Sequence, residues 1–143
     1  MAEHKVIIGT SGWSFDWESH IDNSIPKDEL KLTSFSRFFD GTEVNYTFYH
    51  LPKVNTIEKW KEQTRDGFVF SLKLSRQITH YDQLKTGNDR ISNFLDRYTH
   101  LEEKAGPILI QLPPSLERDH VLIEKLLHQV DNIRNSKELD FIP

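Results

Sequence analysis

Four short apolar runs start near residues 5, 41, 68 and 107, and a longer segment with helical periodicity follows each of them. Strands that alternate with helices in this way imply a parallel sheet joined by right-handed crossovers. The runs are Lys5 to Thr10, Gly41 to Tyr46, Phe68 to Leu74 and Pro107 to Leu112. Helices are expected after each: one from an Asp28 cap to about Phe39, one opened by a capping box of Asn55 and Glu58, one capped by Asn88 or Asp89, and one capped by Ser115. Leu32, Phe35, Phe38 and Phe39 give the first helix its apolar side, and Ile57 and Trp60 serve the second. Ile91, Phe94, Leu95, Tyr98 and Leu101 form the stripe of the third, and Leu122, Ile123, Leu126, Leu127 and Val130 that of the fourth. The tail from Asn132 is polar, then briefly apolar, and can start a fifth strand or fray.

Two of the strands carry polar residues on what should be a covered face. In the stretch Thr42 to Pro52, TEVNYTFYHLP, alternation puts Glu43 and Asn45 on one side and Val44 and Tyr46 on the other. In FVFSLKL, Phe68, Phe70, Leu72 and Leu74 face one way, and Val69, Ser71, Lys73 and Ser75 the other. A carboxylate, an amide and an ammonium on a covered face cost free energy unless they are paired or used. All three lie near C-terminal strand ends, where α/β folds place their ligands.

Composition bounds the partners. The 143 residues are 36% hydrophobic and 28% charged, as expected of one globular domain over 1–143. No apolar run is long enough to cross a bilayer, and the first residues do not read as a secretory signal, so a cytoplasmic protein without membrane attachment is expected. Zero cysteines exclude disulfides, thiolate catalysis and cysteine zinc sites. A formal charge of −4 argues against a surface that coats nucleic acid, though not against a local cationic pocket. The seven histidines include no i, i+4 pair and no HExxH, so no metal site and no cofactor is specified, beyond a site that joins Glu43 to His50 or His80.

Four motifs, taken together, resemble the YecE-like family, known as domain of unknown function 72. They are GTSGWS at 9–14, TEVNYTFYHLP at 42–52, FSLKLSRQITH at 70–80 and ILIQLPPS at 108–115. The resemblance implies a TIM-barrel-like α/β fold and no particular activity. It also implies a departure: family members are much longer, and the segment resembling Glu-Phe-Arg after the fourth helix is absent here. A closed barrel takes about 250 residues, so four consecutive β-α units make a half barrel with an open concave face. A truncated chain, a homodimer that completes the barrel, or a different cover for the open face would each resolve this.

On this reading the strand ends form a pocket for a small polar or anionic ligand. Glu43, Lys73 and His80 are the candidate catalytic groups, with Glu43 as general base and His80 able to pass a proton near neutral pH. Ser11, Trp13, Asn45, Tyr49, Arg76 and Gln111 are the candidate ligand contacts. Lys73 and Arg76 suit a phosphate, and Asn45 and Gln111 orient polar groups. A complete barrel of this kind could be hydrolytic, although a glycosidase needs a second carboxylate that this inner face lacks. Competing readings are a structural Glu43–Lys73 ion pair, an inactive fragment, or a nucleic-acid-binding rim. That rim would use Lys53, Lys73, Arg76, His50 and His80 with Trp13, Phe48, Tyr49 and Tyr81 for stacking.

Overall fold

The computed structural model describes residues 6–21, 25–85 and 89–136. Strands β1 (Gly9–Ser11), β2 (Gly41–Val44), β3 (Val69–Lys73) and β4 (Ala105–Leu109) form one sheet in the order β1-β2-β3-β4. Every pairing is parallel, with Ser11 opposite Glu43, Glu43 opposite Ser71, and Lys73 opposite Leu109. Sequential order with parallel pairing is the arrangement of four consecutive units of a β/α barrel. Helices α1 (Glu18–Ile21), α2 (Lys31–Phe38), α3 (Tyr46–Tyr49), α4 (Val54–Glu62), α5 (Arg90–Thr99) and α6 (His120–Ser136) complete the described chain.

The alternation in β3 explains the layering. Phe68 and Phe70 are 0% exposed, and Leu72 and Leu74 are buried beside them. They pack with Phe35 of α2, Ile57 and Trp60 of α4, and Ile91, Phe94, Leu95 and Tyr98 of α5. Truncating such an aromatic to alanine costs about 3–5 kcal/mol. Val69, Ser71 and Lys73 take the opposite, concave face and are half-buried. Trp17 reaches the core from the β1–α2 connection, with Phe35 and Phe39 against its ring edge-on at 5.4 and 6.1 Å. Trp13 of the same connection is half-buried and packs edge-on against Trp60.

Several expected boundaries move, each for a local reason. The described part of the first strand pairs only from Gly9, and Lys5 lies outside the described residues. β2 stops at Val44 because Asn45 is helical (φ −69°, ψ −21°) and begins the turn into α3. Tyr46 is therefore exposed on a helix and does not share a strand face with Val44. β4 begins two residues early, at Ala105, and carries a register shift against Phe70–Leu72. Gly106 and Pro107 occupy that bulge, where proline's missing N–H costs no ladder bond.

The expected caps also differ. Neither Asp28 nor the Asn55–Glu58 pair caps a helix: Leu30 and Lys53 hold those positions in extended conformation without a side-chain bond. Ser115 is replaced by Asp119, whose Oδ1 accepts from the N–H groups of Val121 and Leu122 at 2.9 and 3.2 Å. Asp89 precedes α5 without a side-chain cap, and Asn88 lies outside the described residues. Residues 132–136, expected to start a fifth strand or fray, instead continue α6, and residues 137–143 lie outside the described residues. On α6 only Leu126 is fully buried, while Ile123 and Leu127 face outward.

Candidate functional site

The C-terminal ends of the strands carry two adjoining clusters. The first comes from β1 and β2. Parallel register puts Ser11 opposite Glu43, and Ser11 Oγ donates to Glu43 Oε1 at 3.0 Å. Asn45 Nδ2 donates to Ser11 Oγ in turn. The expected meeting of Glu43 and Asn45 thus occurs through Ser11, not through strand alternation. This relay fixes one carboxylate oxygen and leaves Glu43 Oε2 without a hydrogen-bond partner among the described residues. Ser11 and Glu43 line a concave groove of ≈ 380 Å³, with Ile7, Val69, Ser71 and Pro107. Ser11 and Asn45 also border a hollow of ≈ 300 Å³ shared with Trp13, Gly12 and Tyr46. Trp13 divides its ring between that hollow and an edge-on contact with Trp60 at 6.0 Å.

Gly12 takes φ +83°, a region that favours glycine, and a Cβ there would meet only open space. Its N–H donates to the Glu43 carbonyl at 2.8 Å. The glycines at 9 and 12 therefore serve strand approach and the bend, and Gly12 offers no free N–H to an anion. At Gly9 a Cβ would fall 2.0 Å from the Gly41 carbonyl oxygen.

The second cluster belongs to the end of β3. Lys73 Nζ lies 4.5 Å from the centre of the Phe48 ring, and His80 meets the same ring edge-on at 5.2 Å. His80 Nδ1 is 2.8 Å from Thr79 Oγ1. The Arg76 guanidinium lies 4.9 Å from the Tyr49 ring and 5.7 Å from that of Tyr81. Its Nε is buried without a hydrogen-bond partner among the described residues. The chain here forms a wide helical turn over Gln77–Tyr81, closed by the Asp82 N–H on the Gln77 carbonyl at 2.8 Å. Turns of this i→i+5 kind recur at functional positions.

Glu43 and Lys73 share the concave face on neighbouring strands, since Glu43 pairs with Ser71 and Lys73 is two residues further along. They form no ion pair among the described residues. By contrast Lys31, Arg37, Lys61, Arg65, Arg90 and Arg97 each hold a carboxylate. Gln111 is exposed two residues past β4 and stays outside the Ser11–Glu43–Asn45 relay. Among the described residues no three His, Asp or Glu side chains converge to hold a metal ion, and no helix is long and apolar enough to cross a membrane.

Thr47 was not singled out from the sequence, yet it joins the two clusters. It is fully buried, and its hydroxyl lies 2.8 Å from the Val44 carbonyl oxygen and 2.8 Å from that of Lys73. A threonine set between the aromatics Tyr46 and Phe48 is the only signal the sequence offers for it.

An ordered run of parallel strands with helices on one face and polar side chains at the C-terminal ends defines half of a β/α barrel. The chain belongs to the family described as "Protein of unknown function DUF72", which it matches over residues 7–139. It is 37% identical over 82 residues to the UPF0759 protein YecE of Escherichia coli (strain K12), which covers 57% of this chain and 30% of that protein. To the UPF0759 protein YunF of Bacillus subtilis (strain 168) it is 27% identical over 118 residues, 76% of this chain and 40% of that protein. Two crystal structures of a DUF72 family protein from Enterococcus faecalis V583 share the fold, with TM-scores of 0.64 and 0.68 at 15% and 17% identity. They match 91% and 90% of this chain, and 48% and 47% of theirs. The chain thus spans less than half the length of these relatives.

Proposed function

We propose that the C-terminal ends of the strands bind a small, anionic ligand, phosphate-bearing, with hydrolysis as the chemistry of a complete barrel. The observation that carries this reading is the pair Lys73 and Arg76. Both cations rest on aromatic rings at the strand ends with no carboxylate in ion-pair distance among the described residues. The rings pre-order the two cations at little entropic cost, and cation–π contact holds them without neutralising them. An anion entering here gains charge-assisted hydrogen bonds from both. Glu43, oriented by Ser11 and Asn45, supplies an acceptor for a ligand hydroxyl or an attacking water through Oε2. His80 stands on the same ring as Lys73 and suits proton transfer to a leaving group.

Calorimetric titration with inorganic phosphate tests the reading. Lys73→Ala and Arg76→Ala should each weaken binding by about tenfold, ~1.4 kcal/mol, while far-ultraviolet circular dichroism stays unchanged. Equal affinity in both variants would refute the assignment.

A second reading has its own observation: Tyr49 and Tyr81 are exposed, and both lie against the Arg76 guanidinium. Exposed rings beside a cation suit the bases and backbone of single-stranded nucleic acid. Binding to an oligonucleotide that weakens steeply with salt would favour it. Salt-insensitive binding would leave the small-ligand reading in place.

A further inference from the structure

The exposed aliphatic residues concentrate at the two ends and on the inside of the curved sheet. At the β1 end Val6, Ile7 and Ile8 are exposed. At the β4 end Leu109 and Leu112 are exposed, and Ile123 and Leu127 of α6 lie outside the core in the unit that follows. Between the ends runs the ≈ 380 Å³ groove floored by Ile7, Val69 and Pro107. In the order β1-β2-β3-β4 each outer strand has one edge without a strand partner among the described residues. Open strand edges with exposed apolar side chains beside them are normally covered.

We propose that a second copy of this chain covers them, about a twofold axis along the barrel, with β4 of each copy paired to β1 of the other. An axis along the strands preserves their direction, so both new ladders are parallel like the three already formed. The surfaces brought together are alike in chemistry: Ile7 shares the concave face with Leu109 of the other copy, and Val6 and Ile8 take the outer face beside its α6. The strand number also fits: four described strands in each copy give the eight of a closed barrel. Contact between two different ends can propagate without limit, and closure after two copies prevents this. The mouth would then carry two Glu43 side chains, one from each copy. The inference rests on the sheet edges and does not depend on what the strand ends bind.

Sedimentation velocity at micromolar concentration decides it. The chain should run at twice its 16.9 kDa mass. Ile8→Lys and Leu127→Lys should each shift it to monomer, since these side chains are 63% and 50% exposed in the single chain and a charge there leaves its core intact. A monomeric wild-type chain would overturn the proposal. So would oligomers that keep growing with concentration, or a dimer that neither substitution weakens.

Discussion

Thr47 Oγ1 accepts a hydrogen bond from the Lys73 backbone N–H at 3.1 Å, which ties the turn after β2 to the last residue of β3. The same hydroxyl has the carbonyl oxygens of Val44 and Lys73 within reach. One buried side chain therefore sets the spacing between the Glu43 relay and the cations. Thr47→Val keeps the shape and leaves the Lys73 N–H without that partner. A loss of about 1–3 kcal/mol is expected, read as a lower urea midpoint at unchanged slope. Phosphate affinity should fall as well. Unaltered stability would show that the hydroxyl is replaceable by solvent.

Lys104 is 4% exposed, and its ammonium donates to the Lys61 and Thr64 carbonyls at 2.7 Å each and to Thr64 Oγ1 at 3.0 Å. It closes the C-terminal end of α4, where carbonyls lack helical partners and a cation is favoured. Lys104→Met should cost on the order of 2 kcal/mol, measured by urea unfolding. A cost near zero would mean that those carbonyls find other donors.

Two buried groups give opposite responses to alkali. Burial lowers the pKa of Lys104, so above that lowered value the unfolded chain holds more protons, and this group's contribution rises with pH towards 10.5. Burial raises Tyr98 from 10.0 to about 12, so its contribution is full below 10 and is lost between 10 and 12. Tyr98→Phe should remove the alkaline loss and also the hydrogen bond that the phenol donates to the Gly106 carbonyl. Unfolding curves from pH 8 to 12 check both signs. A Tyr98→Phe chain that loses stability between 10 and 12 as wild type does would contradict the Tyr98 assignment.

Gly106 and Gly12 need glycine for different reasons. A Cβ at Gly106 would stand 2.4 Å from Val69 Cγ1 and 2.9 Å from the Phe70 carbonyl oxygen. Gly106→Ala should cost about 1–3 kcal/mol through overpacking. Gly12→Ala meets no atom, and only its φ of +83° opposes it, for about 1–2 kcal/mol. Adding Val69→Ala should therefore partly rescue Gly106→Ala in thermal unfolding and leave Gly12→Ala unchanged. Rescue of neither would mean that the backbone contact to Phe70 dominates.

The strand–helix alternation, the two faces of β3 and the concave placement of Glu43 and Lys73 were legible because burial imposes a period on neighbouring residues. What escaped depends on contacts between segments far apart in sequence. Asn45 reads as a strand residue until Thr47 bends the chain against Lys73. Lys104, in a run of charges, looks like surface until the end of α4 is placed over it. The early start of β4 follows from the Gly106–Pro107 bulge, which only pairing with β3 reveals. Caps were misplaced because Asp28, Asn55 and Ser115 offer the right oxygen while the backbone turns elsewhere. Glu43 and Asn45 do meet, but by way of a serine on another strand.

An amide ¹H–¹⁵N correlation spectrum recorded during titration with inorganic phosphate tests the central claim most directly. The account predicts saturable shifts confined to Ser11–Gly12, Glu43–Asn45 and Lys73–Arg76, absent in a Lys73→Ala, Arg76→Ala chain. Shifts that centre instead on the ≈ 460 Å³ hollow beside Lys27 and Lys31, or none at millimolar phosphate, would contradict it.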